Sequence, residues 1–103
     1  MIQNKNLFLG LDLEKIFGEN FANTFFSAWD AAQTALKKAA NQDEAQAAFT
    51  AFAATFNNCN DIETMERELI GDAVFKLAQL PRMAELGIDA DLAQYWFDEI
   101  RDY

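Results

Sequence analysis

The chain has 103 residues, 51% of them hydrophobic, with 17 acidic against 8 basic residues and a net charge of −9 at neutral pH. Ten Phe and two Trp in that length suit one folded domain with its own core and exclude a disordered chain, which would be poor in aromatics. A surface of this sign repels nucleic acid and anionic membrane, which argues against direct contact with either, and attracts basic protein surfaces.

The charge is uneven along the chain. Residues 1–60 hold six acids and four bases, whereas residues 61–103 hold eleven acids and four bases. The one cysteine, Cys59, allows no intrachain disulfide, and a reducing cytoplasm is the expected compartment. No signal peptide is expected, because the apolar run at 7–11 is short and no small-residue cleavage site follows it. The longest uncharged stretch, 45–60, is interrupted by Gln, Thr and Asn, so no membrane span is expected.

Residues 1–18 read as an irregular or partly helical arm. Asp12 can cap a short turn through Phe17, which Gly18 can end. Leu7, Phe8, Leu9, Leu11, Leu13, Ile16 and Phe17 are too apolar to float free, so the arm is expected to pack on the body. A short strand at 7–9 is conceivable, but the sequence offers no obvious partner strand.

Residues 19–40 form the clearest helix, with Phe21, Phe25, Ala28, Trp29, Ala32, Leu36 and Ala39 on one face at alternating steps of three and four. Lys37 and Lys38 fall in its last turn, where cations suit the negative helix end. Asn41 with Glu44, or Asp43 with Gln46, gives a capping box for a second helix over 43–56. Its core face is Ala45, Ala48, Phe49, Phe52, Ala53 and Phe56, and it carries no charge after Glu44.

Asn57 to Asn60 reads as a turn, and Asn60 with Glu63 as a capping box for a third helix ending at Leu80. Its stripe is Ile62, Met65, Leu69, Ala73, Leu77 and Leu80, widened by Ile70 and Val74. Pro81 stops this helix by removing a backbone donor and opens a short one to Leu86, with Gly87 as a left-handed cap. Asp89 is a good N-cap for a last helix to Arg101, with Leu92, Ala93, Trp96, Phe97 and Ile100 inside. The fold class is therefore all-α: a compact, antiparallel bundle of about four main helices plus a short helix and an N-terminal arm.

Catalytic chemistry is hard to place. There is no histidine, which removes the commonest general base and metal ligand and every Ser–His or Cys–His pair. The chain is read as non-enzymatic, with no cofactor and no metal. Asn57, Asp61, Glu63 and Glu68 imitate four positions of a calcium loop, but Ile62 stands where that loop needs glycine. Residues 82–97 imitate a helix-turn-helix, yet the would-be recognition helix is acidic, the wrong sign for phosphates. The nearest cation to Cys59 downstream is Arg67, so nothing marks its thiol as reactive.

Acidic spacing survives these exclusions. Asp91, Asp98 and Asp102 lie at i, i+7 and i+11 with Tyr95 between them, and Asp61, Glu68 and Asp72 repeat the pattern on the third helix. Carboxylates at i and i+4 are about 6 Å apart along the axis and repel one another by a few tenths of a kcal/mol. Stability alone favours alternating signs, which Lys76 and Arg101 restore only in part. The plain reading is a solvated face that aids solubility.

The functional reading is a docking surface for a basic protein surface, such as that of a nucleic-acid-binding protein or complex. Asp61, Glu68, Asp72, Asp91, Tyr95, Asp98 and Asp102 are its expected partner-binding residues. The expected function is that of an inhibitor or decoy, by analogy of size, charge and helicity with phage anti-restriction and anti-CRISPR proteins. The alternative is a helical assembly adaptor or small chaperone working through the uncharged second helix, whose Gln46, Thr50 and Ala54 would form a self-contact if exposed. The chain is expected to be a monomer or weak homodimer.

Overall fold

The computed structural model describes residues 7–8, 11–57 and 62–101. Six helices account for most of them: α1 (Leu13–Phe17), α2 (Glu19–Lys38), α3 (Gln42–Asn57), α4 (Thr64–Ala78), α5 (Pro81–Glu85) and α6 (Ala90–Ile100). The fold is an all-α bundle, as the hydrophobic periodicity predicts.

The described part of the arm is tied down. β1 (Leu7–Phe8) pairs antiparallel with β2 (Leu11–Asp12), with Leu7 opposite Asp12 and Phe8 opposite Leu11. The partner strand that the sequence did not reveal is thus the next two-residue segment. Phe8 is buried, with its ring 4.9 Å from both Phe25 and Trp29. Asp12 caps α1 by accepting from the Lys15 amide at 3.2 Å. Ile16 departs from expectation: it stands 45% exposed, whereas Leu13 is fully buried.

Gly18 ends α1 and opens α2 at φ +97°, a conformation that side-chain-bearing residues rarely adopt. Phe25 of α2 lies at the centre of the aromatic core, with ring contacts to Phe8, Phe21, Phe26, Trp29, Phe52 and Phe56. Trp29 stacks on Phe25 but is only half-buried. Asn41 caps α3 by accepting from the Glu44 amide, and the Glu44 carboxylate reaches back to the Ala40 amide, both at 2.9 Å. That reciprocal pair is the capping box one residue wider than its usual form. All six expected core residues of α3 are buried.

Consecutive long helices alternate in sense, and two side-chain bonds set α3 alongside α6. Gln42, at the start of α3, donates to the Leu86 carbonyl just before α6 (2.8 Å), and Asn57 at its end donates to the Ile100 carbonyl (3.0 Å). The start of α4 meets the end of α6 around Thr64, Arg67 and Arg101. Short α5 locks onto the α2–α3 corner, where Arg82 Nε donates to the Ala39 carbonyl at 2.8 Å. The buried residues form one apolar cluster with no polar or charged member among those described.

The third helix differs from expectation at its start. It begins at Thr64, with Glu63 as an N-cap that makes no side-chain bond, so Glu63 is not the third helical residue of a box. Asn60 lies outside the described residues. Ile62 packs on the core from the segment ahead of the helix. Met65 is 61% exposed rather than part of the core stripe. The reason is geometric: Leu69, Ala73 and Leu77 share the buried side with Ile70 and Val74, which turns the centre of that side away from Met65 by about 100°. The helix ends at Ala78, and Leu80 becomes the N-cap of α5, with Pro81 at its first position.

Candidate functional site

Asp89 opens α6 by accepting from the Leu92 amide at 2.9 Å, and Asp91 in the first turn sits at the positive end of the helix. Ala93, Trp96 and Phe97 are buried, which sends Asp91, Tyr95 and Asp98 to the face opposite the core. The described members of the row, Asp91, Tyr95 and Asp98, therefore face outward. Tyr95 is 60% exposed, and its hydroxyl donates to Glu99. That hydrogen bond and the nearby negative charge push the phenol above its ordinary range.

Asp98 is the most engaged member of the row. It accepts from Gln94 Nε2 at 3.0 Å and pairs with Arg101 Nε at 3.0 Å. Arg101 in turn lies 5.4 Å from the Phe97 ring centroid. Glu68 and Asp72 are exposed on the outer face of α4. Among the described residues, Glu68, Asp72 and Asp91 have no ion-pair partner, and Lys76 does not neutralise Asp72. Asp61 and Asp102 lie outside the described residues, as do Cys59 and Tyr103.

The two rows belong to neighbouring helices, since α4 packs against α6. At the start of α4 and the end of α6 they are separated by a shallow depression lined by Thr64, Arg67, Glu68 and Arg101. Arg67 there donates to the Thr64 hydroxyl at 3.3 Å. At this end the surface is mixed in charge, whereas Asp72 and Asp91 lie outside the depression.

Sequence reasoning missed the apolar component of this surface. Met65 and Phe75 of α4 are 61% and 53% exposed, large side chains facing the same way as Glu68 and Asp72. The signal was available: with Ile70 and Val74 counted in the buried side, positions 65, 68, 72 and 75 fall on the outer face. Elsewhere, Ala28, Ala31, Ala32 and Ala35 of α2 and Ala48 and Ala51 of α3 line a groove of about 200 Å³. Of the expected self-contact on α3, Gln46 is exposed while Thr50 and Ala54 are half-buried.

Among the described residues, no three His, Cys, Asp or Glu side chains gather where they could hold a metal ion. Nor is any helix long and apolar enough to cross a membrane. The fold and surface thus define a helical bundle that offers acidic and apolar side chains together on the outside of α4 and α6. No protein-family model matches the chain, and no match is found among curated proteins or solved structures.

Proposed function

We propose that the protein is a non-enzymatic, acidic protein-binding module that occupies a basic, nucleic-acid-binding surface of a partner protein or complex. One observation carries this reading: every described member of the candidate set (Glu68, Asp72, Asp91, Tyr95 and Asp98) is exposed on the outer face of one of two adjacent helices. Three of the carboxylates have no ion-pair partner among the described residues. Such carboxylates can stand where phosphates otherwise bind, and Tyr95 adds the kind of contact area interfaces favour. The mode of action is that of phage anti-restriction and anti-CRISPR inhibitors, by analogy alone.

The test has two stages. Capture on the immobilised protein and mass spectrometry identify the partner. Binding is then compared for the wild type and a variant with Asn or Gln at Asp61, Glu68, Asp72, Asp91, Asp98 and Asp102, with nucleic acid as competitor. The variant should bind at least about tenfold more weakly, association should slow as salt rises, and the partner should lose its nucleic acid when the wild type binds. An affinity unchanged by all six substitutions, or a partner that holds both at once, would end the decoy reading.

The alanine-lined groove between α2 and α3 favours a second reading, that of an assembly adaptor working through an apolar contact. Salt separates the two, because apolar association does not weaken as charges are screened.

A further inference from the structure

We infer that the outer face of α4 is a binding seam for a basic amphipathic helix, with Met65 and Phe75 as apolar contacts at its two ends and Glu68 and Asp72 between them. This rests on the reading of α4 and α6 as a partner-binding surface and names what α4 itself would take. Positions 65, 68, 72 and 75 step by three, four and three residues, the spacing by which one helix meets another lying along it. At about 100° per residue they fall within an arc of about 80°, and about 15 Å separates the first from the last along the axis. All four are exposed, and the two apolar ones are among the few large hydrophobic side chains that the described surface leaves open.

Charge decides the occupant. A second copy laid antiparallel on this face about its midpoint would set Glu68 against Asp72 of its partner, and a parallel one would set each acid against itself. Either arrangement opposes like charges. A neutral apolar helix would cover Glu68 and Asp72 without satisfying them, which is costly for a carboxylate. An anionic membrane or nucleic acid is repelled by a segment with eleven acids against four bases. A helix with two Lys or Arg flanked by apolar residues satisfies all four positions. Lys76, exposed at the Phe75 end of the seam but on its opposite margin, would favour an acidic residue there and so set the direction of the partner helix.

The experiment uses the whole chain and three labelled peptides, read by fluorescence anisotropy. The first is a helix-forming peptide with apolar, Lys, Lys and apolar residues at the complementary spacing. The second has Glu in place of those Lys, and the third is an oligolysine of equal charge. The wild type should bind the first about tenfold or more tighter than oligolysine and should not bind the second. Met65→Ser with Phe75→Ser should abolish the preference over oligolysine, and Glu68→Gln with Asp72→Asn should remove most of the salt dependence. All four positions are exposed, so each variant should keep the wild-type circular-dichroism spectrum, which is checked first. If the Met65/Phe75 variant binds like wild type, the seam is wrong, while charge-driven docking on the acidic rows stands. If no basic peptide binds at low salt, both readings fall. If the unliganded protein is a dimer that the same variant dissociates, the occupant is a second copy and the inference is overturned.

Discussion

Phe25 and Tyr95 show what single side chains do in the two halves of this molecule. Phe25 is fully buried and touches six other aromatic rings, so its removal leaves a void that flat neighbours cannot fill by rotating. Phe25→Ala should cost about 3–5 kcal/mol, read from the urea midpoint, whereas half-buried Trp29→Ala should cost less, roughly 2 kcal/mol. An equal loss at both positions would mean that Trp29 is more central than its packing indicates. Tyr95 works at the surface, where its hydrogen bond to Glu99 favours the neutral phenol. In a Tyr103→Phe background, phenolate absorbance should titrate above the ordinary tyrosine range, and Glu99→Gln should bring it back down. Because the folded value lies above the unfolded one, the small stabilisation from this bond is complete below the unfolded pKa. It disappears as pH rises through the folded value.

The helix termini set the limits of each element, and two of them form a useful contrast. Asp89 caps α6 through its side chain, whereas Glu63 at the start of α4 makes no such bond. Asp89→Ala should therefore cost about 1 kcal/mol, and Glu63→Ser should raise stability by roughly 0.5–1 kcal/mol, both from chemical denaturation. A Glu63→Ser variant no more stable than wild type would place the start of α4 elsewhere. Gly87, at φ +75°, ends the turn after α5 as the left-handed cap expected from Pro81 and the Leu86–Gly87 pair. The bundle was legible in the sequence because its helices are strongly periodic and its breaks carry Asn41, Pro81, Gly87 and Asp89. The start of α4 was misplaced because Ile62 has the spacing of a helical core residue while reaching the core from outside the helix. Met65 was misplaced for a separate reason: its steps to Leu69 and Ala73 fit the stripe, but Ile70 and Val74 draw the buried side away from it. The carboxylate rows were visible as spacing, and so was Arg101 as a partial counter-charge, but its choice of Asp98 depends on a rotamer that no spacing encodes. The β1–β2 pair was missed because two-residue strands leave almost no periodic signal.

Across the whole molecule, the dominant surface force is self-repulsion. A net charge of −9 is opposed among the described residues by surface ion pairs such as Arg82–Glu85 at 3.1 Å and Arg101–Asp98 at 3.0 Å, both between residues three apart. Each such exposed pair contributes about 0–1 kcal/mol, so adding salt screens more repulsion than attraction. The melting temperature should therefore rise by a few degrees from low to moderate salt. A variant with Glu68→Gln and Asp72→Asn removes two unpaired carboxylates that make no packing contact inside the core. It should melt at or slightly above the wild-type temperature and respond less to salt. Calorimetry over a salt series measures both effects. A lower melting temperature in the variant would assign these carboxylates a structural role, whereas the expected rise means that the rows persist at a cost to the fold, as a surface kept for contact with a basic partner would.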